Sequence, residues 1–149
     1  VPMVLLGLYD DAGIGRILRA PGGSIGTDGV IAEQPHPRLF GSSARVLGHY
    51  SRDKRLLPLM DALAKMTILP ARRLESFVPA MKAKGRLAIG ADADITVFDP
   101  DRVIDRATFE APTTPSAGIA HVLVSGAFVV RDGKLIPDAL PGRAVRAIP

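Results

Sequence analysis

The chain has no cysteine and no tryptophan among its 149 residues, and aromatic side chains make up only 5% of it. Without cysteine there is no disulfide, no thiolate metal site and no thiol nucleophile, and the cytoplasm is the default compartment. Histidine is scarce too. His36, His49 and His121 are scattered along the chain, which is not the spacing of a metal site. No apolar run approaches the ~20 residues needed to cross a bilayer, so no membrane partner is expected. The opening Val1-Pro2-Met3-Val4-Leu5-Leu6 lacks a charged leader and a cleavage site, and a start at Val1 rather than Met hints at residues upstream. The poverty in aromatics also bears on charge. The net charge is +4 and most of the 19 basic residues are arginine, but they alternate with apolar residues at helical spacing. With no aromatic-rich strand to stack bases, no nucleic-acid partner is expected.

What is present suits a folded chain. A hydrophobic content of 47% argues against disorder, and 15 Gly with 13 Pro imply many turns around a core of Val, Ile, Leu and Ala. The length fits one compact domain or two partial ones, of α/β character. Asp10-Asp11-Ala12-Gly13 reads as an interruption, Ile14 to Ala20 as a brief helix, and Pro21-Gly22-Gly23 as its stop. Ser24-Ile25-Gly26-Thr27-Asp28 then looks like a short buried strand ending in a loop. Helical periodicity follows, with Leu39, Val46, Leu47 and Tyr50 on one stripe and Leu59, Leu63 and Met66 on the next, Pro58 fitting that second helix's first turn. Thr67 is the expected N-cap of a third helix through Leu74, with Pro70 tolerated in its first turn.

From about Gly85 the period changes to alternation. Arg86–Ile89 and Asp94–Asp99 read as strands around a Gly90-Ala91-Asp92-Ala93 turn. His121–Val124, Ala127–Arg131 and Lys134–Ile136, joined by Ser125-Gly126 and Asp132-Gly133, predict a β-meander. Such a sheet has an apolar face that further strands or helices must cover. Pro141-Gly142-Arg143 begins an extended tail.

Chemistry concentrates at Gly26-Thr27-Asp28-Gly29 and, within ten residues, Pro35-His36-Pro37-Arg38. Taken alone, an Asp between glycines is ordinary turn chemistry. Gly22-Gly23 lacks the following Lys and Ser or Thr of a phosphate cradle. Gly90-Ala91-Asp92-Ala93-Asp94 has too few oxygen ligands for a calcium loop, so Asp92 and Asp94 are expected to serve turn hydrogen bonds.

An ordered series of segments changes the reading of Asp28. It runs through Gly26-Thr27-Asp28-Gly29, His36-Pro37-Arg38, Arg45-Val46-Leu47-Gly48, Lys65-Met66-Thr67, Pro70-Ala71-Arg72-Arg73-Leu74 and Lys84-Gly85-Arg86. It continues through Gly90-Ala91-Asp92-Ala93-Asp94-Ile95, Val97-Phe98-Asp99-Pro100, Asp105-Arg106-Ala107-Thr108-Phe109, His121–Gly126, Val130–Gly133 and Pro141-Gly142-Arg143. In this order the segments resemble the C-terminal portion of amidohydrolase-superfamily enzymes. The resemblance is strongest to the N-acyl-D-amino-acid deacylase (D-aminoacylase) branch and more distant to dihydroorotase-like members.

The resemblance implies an α/β plus β fold, namely the C-terminal part of a metal-dependent (β/α)8 barrel followed by strands of a small β-sandwich. Residues 1–84 would be the last barrel strand and terminal helices, and 85–149 the sandwich strands. By matching motif, Asp28 would be the catalytic carboxylate beside the metal, able to serve as a metal ligand itself. Arg38 would bind the carboxylate of the small-molecule amide substrate, with His36 nearby as a substrate contact or a loop residue. His49 and His121 are expected to be packed or surface residues. The family's cofactor would be zinc or another divalent metal, and its remaining ligands have no counterpart in this chain. None is therefore expected to be held by these residues alone.

The partner implied is the missing N-terminal barrel segment or a separate chain, and homo-oligomer formation is left open. Two rival readings accompany this one. The chain could be a non-catalytic binding or assembly module, which the strands after Gly85 favour, or one subunit of a two-chain cyclic-amide hydrolase.

Overall fold

Asp10 accepts a hydrogen bond from the Gly13 amide at 2.7 Å and so caps helix α1, Asp11–Arg19. Its extended backbone and the acidic Asp11 behind it suit the positive end of a helix. The Asp10–Gly13 stretch, expected as an interruption, is therefore the start of the helix. The computed structural model describes residues 10–33 and 35–147; the opening apolar run lies outside the described residues.

Helix α2, Arg38–Arg45, continues without a break into a π-helical stretch, Val46–Asp53. The expected stripe is buried at Val46, Leu47 and Tyr50, with Leu39 half-buried. The wider turn sits where the backbone meets another element. Arg52 Nη1 donates to Val103 O at 2.7 Å, and a Cβ on Gly48 would stand 2.7 Å from Ile104 Cδ1. Single-turn widening of this kind accommodates a close neighbour without breaking the helix.

Helices α3, Leu59–Met66, and α4, Ile68–Leu74, meet at Thr67. Pro58 immediately precedes α3, and its fixed φ of −62° lets the chain enter the helix. Thr67 occupies the expected N-cap position of α4 but caps nothing. Its hydroxyl instead donates back to Leu63 O at 2.7 Å. The buried face of α3 agrees with expectation in part, since Leu63 and Met66 pack against the core. Ala62 and Lys65 are buried while Leu59 is exposed, because α3 turns its small residue to the core and its lysine to the carbonyls of Ala20 and Gly23.

Ser24–Asp28, expected as a buried strand and the last strand of a barrel, forms no strand. A strand needs a hydrogen-bonding neighbour, and none among the described residues runs beside it. The segment is held instead by single contacts such as Ile25 N to Lys65 O at 3.0 Å. Arg86–Ile89 is not a strand either. The Arg86 guanidinium donates to Glu75 and to Lys84 O, which ties its side chain to the end of α4, and Leu87 and Ile89 stand in solvent.

The remaining β predictions correspond to observed elements. Strands β1, Ile95–Phe98, β2, Ile119–Val124, β3, Ala127–Arg131, and β4, Lys134–Leu135, form one antiparallel sheet in that order. Thr96 pairs with Val122, Val122 with Val130, and Val130 with Leu135. Both hairpin turns place two residues in the left-handed region, Ser125 and Gly126 at φ 50° and 82°, and Asp132 and Gly133 at 51° and 72°. That backbone matches the twist of the strands it joins.

The core joins helices and sheet. Ala44, Val46, Leu47, Tyr50, Leu57, Ala62 and Val103 cluster, and Phe98 and Ile119 pack against them. Val103, 1% exposed, lies in the long connection between β1 and β2. That connection is therefore the hinge pin between the two layers.

The Gly90–Asp94 turn is structural, as expected. Lys84 Nζ lies 2.8 Å from Asp92 Oδ2 and 2.5 Å from Asp94 Oδ2, and Asp94 Oδ1 accepts from Ser125 N at 2.7 Å. The hydrogen bonds to Asp92 and Asp94 raise the Lys84 pKa. The bond from Lys84, then that from Ser125, lowers the Asp94 carboxyl. A depressed carboxyl stabilises above its ordinary value and loses that contribution as pH falls through the folded value. A raised lysine stabilises below its ordinary value and loses that contribution as pH rises through the folded one.

Lys84→Met is therefore expected to cost about 1 kcal/mol near neutrality. The cost should shrink below pH 3.8 and again above pH 10.5, the ordinary values for these groups. Urea unfolding of both proteins across pH measures this. A cost that does not vary with pH would assign the effect to lysine packing.

Candidate functional site

Asp28 owes its position to local backbone geometry. Gly29 N donates to Thr27 Oγ1 at 3.3 Å, and Asp28 adopts φ 48°, a left-handed conformation that Asp tolerates better than most residues. The carboxylate points outward, with its side chain 85% exposed. Gly29 lies so close to Leu39 that a Cβ there would be 2.9 Å from the Leu39 Cα, which pins the loop against the start of α2.

The second half of the site is built at that helix start. His36 sits between Pro35 and Pro37, and its Nδ1 accepts the Arg38 amide at 3.0 Å, satisfying one of the donors that open α2. The ring packs edge-on to Phe109, with centroids 5.0 Å apart. Burial, followed by the nearby Arg38 charge, lowers the His36 pKa, so the ring is neutral near pH 7 and its Nδ1 is free to accept. Arg38 then reaches back across the loop and donates from Nη1 to Asp28 Oδ2 at 2.6 Å. The structure thus brings together all three expected site residues, Asp28, His36 and Arg38.

A cleft of about 310 Å³ opens beside them, lined by His36, Arg38, Ser42, Arg45, Asp105 and Phe109 among others. Arg45 Nη1 pairs with Asp105 Oδ2 at 3.2 Å, and its guanidinium lies 5.6 Å from the centre of the Tyr50 ring. The sequence reading assigned no site role to Arg45, Asp105 or Phe109. Arg45 carried a usable signal, since it follows Arg38 by two helical turns on the same face. Asp105 and Phe109 carried none, because only tertiary packing brings the β1–β2 connection here.

The other two histidines lie away from this cleft. His49 packs on Tyr50 with centroids 4.8 Å apart, and its buried Nε2 makes no hydrogen bond. His121 Nδ1 accepts from Asp132 N at 3.2 Å. Both are packing residues, as expected.

A divalent metal needs several oxygen or nitrogen donors converging on one point. Among the described residues no group of three His, Asp or Glu is close enough to share one. Asp28 nevertheless fits as a single contributor. Its carboxylate is exposed, is acceptor-only when ionised, and is engaged by a side chain that a substrate could also engage.

Known proteins resemble this chain over most of its length. Residues 13–130 match the model of the amidohydrolase family. The chain is 49% identical over 138 residues to an N-acyl-D-glutamate deacylase of Alcaligenes xylosoxydans xylosoxydans, covering 92% of this chain and 27% of that protein. It is 47% identical over 121 residues to a D-aminoacylase of the same organism, covering 80% and 24%.

Among solved structures, an N-acyl-D-glutamate deacylase from Bordetella bronchiseptica, complexed with zinc and a phosphonate inhibitor, superposes with a TM-score of 0.81. That match is 46% identical and covers 93% of this chain and 28% of that one. A D-aminoacylase described as defining a subset of amidohydrolases gives a TM-score of 0.78 at 45% identity, covering 87% and 26%. The chain thus spans about a quarter of the length of these relatives, as the 27% and 24% above express. The chain belongs to the amidohydrolase family, in its D-aminoacylase branch.

Proposed function

We propose that these residues form the C-terminal quarter of a metal-dependent amidohydrolase that cleaves the amide of an N-acyl-D-amino acid. The observation that carries this reading is the likeness, over nearly the whole chain, to proteins named as deacylases of such compounds. In this reading Ser24–Asp28 becomes the last strand of a (β/α)8 barrel once its neighbour is supplied, and β1 to β4 belong to a composite sandwich. The exposed apolar side chains of Ile31, Leu87 and Ile89 support it, since surfaces of that kind are covered in a finished fold.

A divalent metal such as zinc would lower the pKa of a water at the site when bound. The residues of this chain do the rest. Asp28 accepts the proton from the attacking water on a carboxylate oxygen and returns it to the departing amine. Arg38 grips the substrate carboxylate through two parallel N–H bonds, which a planar guanidinium supplies and a lysine does not. Neutral His36 accepts the Arg38 backbone amide and so fixes the start of the helix from which that guanidinium extends. Phe109 lends apolar surface to one wall of the cleft.

The experiment is turnover of N-acetyl-D-glutamate by the purified 149-residue chain with zinc, beside the same chain combined with the N-terminal part of a D-aminoacylase-branch enzyme. The chain alone is expected to release no amino acid, whereas the combination should release D-glutamate and should leave N-acetyl-L-glutamate uncleaved. Turnover by the chain alone would refute the shared-site reading. A combination that assembles and binds zinc yet stays inactive would favour the non-catalytic module.

A further inference from the structure

The stem that leads into the Asp28 loop, residues 20–25, is held by one buried side chain from another helix. Lys65 of α3 is 8% exposed, and among the described residues it meets no carboxylate. Its Nζ donates instead to two carbonyls, Ala20 O at 2.7 Å and Gly23 O at 3.2 Å. Ala20 is the C-cap of α1, where unsatisfied carbonyls and the negative end of the helix dipole attract a cation. The Lys65 carbonyl in turn accepts the Ile25 amide at 3.0 Å. Both ends of this one residue therefore grip residues 20–25 from the same side. Arg73 of α4 adds a bond from Nη2 to Gly22 O at 2.7 Å.

Three residues beyond Ile25 stands Asp28, pinned on its far side by the approach of Gly29 to Leu39 but free of such contacts on its near side. Ser24, Gly26 and Thr27 are exposed, and a Cβ on Gly26 would meet nothing within 4 Å. We infer that Lys65 is a positioning residue for Asp28. By holding the Ala20–Ile25 stem at two carbonyls and an amide, it fixes where the loop begins and hence where the carboxylate meets Arg38. The consequence for catalysis rests on the reading of Asp28 given above, but the clamp itself does not.

A lysine is suited to this place for a physical reason. A buried amine needs acceptors for its three donors, and two carbonyls at the end of a helix and its following turn engage two of them without a counter-charge. Methionine at this position would keep the apolar stem and lose both bonds.

Amide hydrogen exchange on the 149-residue chain, read residue by residue, tests this without requiring turnover. Lys65→Met is expected to speed exchange at Ile25 and Gly29 about tenfold relative to the parent. The amides of Val122 and Val130 in the sheet should keep their rates. The Asp28 carboxyl carbon resonance should move in the same variant. Leu57→Ala, which opens the core elsewhere, should speed all of these amides together and leave the Asp28 resonance in place.

Arg73→Gln, at a more exposed position, should speed the same loop amides about threefold and guards against a Lys65→Met protein that does not fold. Unchanged exchange at Ile25 and Gly29 in the folded variants would overturn the inference, as would acceleration spread evenly over the chain. Because neither readout involves a substrate, such a failure would leave the deacylase reading standing, and failure of the deacylase reading would leave the clamp standing.

Discussion

Gly48→Val should cost about 3 kcal/mol or more, the largest stability loss expected of any single substitution discussed for this chain. Gly48 lies inside the π-helical stretch with no positive φ, so backbone freedom is not what the position demands. Space is. A Cβ there would run into Val103 O and would stand 2.7 Å from Ile104 Cδ1 and 3.1 Å from Ile104 Cα. Two of these three neighbours are backbone, which cannot rotate away as a flexible side chain could. Relief would require α2 and its π-helical extension to move off the β1–β2 connection, which would break the Arg52 bond to Val103 O and open the core around Val103. A domain of this size is held by only about 5–15 kcal/mol in total, so the variant would be near its unfolding threshold at physiological temperature. Thermal unfolding of the purified protein measures it. Gly26→Ala is the control, since a Cβ there meets nothing, and its midpoint should barely move. Equal midpoints for Gly48→Val and the parent would mean that the two layers are not in contact at this point.

The same contact shows what a sequence can and cannot disclose. The buried face of Val46, Leu47 and Tyr50 was legible because it repeats with helical period, and the two hairpins were legible because Ser-Gly and Asp-Gly write their turn geometry locally. The widening from α to π over Val46–Asp53 was not legible, since its cause lies in Val103 and Ile104, some fifty residues away. Ser24–Asp28 and Arg86–Ile89 carried strand-like composition yet formed no strand. Composition specifies a willingness to pair, whereas pairing needs an edge that these residues do not contain. Burial of Lys65 ran against its residue type and followed from carbonyls left open at the end of α1. In the site, Asp28, His36 and Arg38 were legible because they lie within ten residues or so and match one ordered motif series. Asp105 and Phe109 reach the cleft only through the fold.

Asp28→Asn should lower kcat in the catalytically complete protein by about 10²–10⁴-fold while leaving KM within a few-fold. The amide is nearly isosteric with the carboxylate, so the loop, its left-handed φ of 48° and the contact with Leu39 survive. What is lost is an oxygen that can take a proton and give it back. The contact with Arg38, 2.6 Å in the parent, loses its ion-pair character because the guanidinium now donates to a neutral amide oxygen, which should if anything tighten binding of the substrate carboxylate. The pattern expected is therefore a collapse of kcat with KM unchanged or lowered, opposite to the loss of affinity that a purely structural role for the ion pair would give. The exposed Asp28–Arg38 pair contributes little to folding, so thermal unfolding of the variant should match the parent within the small range typical of surface ion pairs. Steady-state kinetics on N-acetyl-D-glutamate, with zinc content measured in the same samples, separates the outcomes. Undiminished kcat at full zinc content would remove Asp28 from the proton transfer. Lost zinc with lost kcat would make it a metal ligand first and a base second.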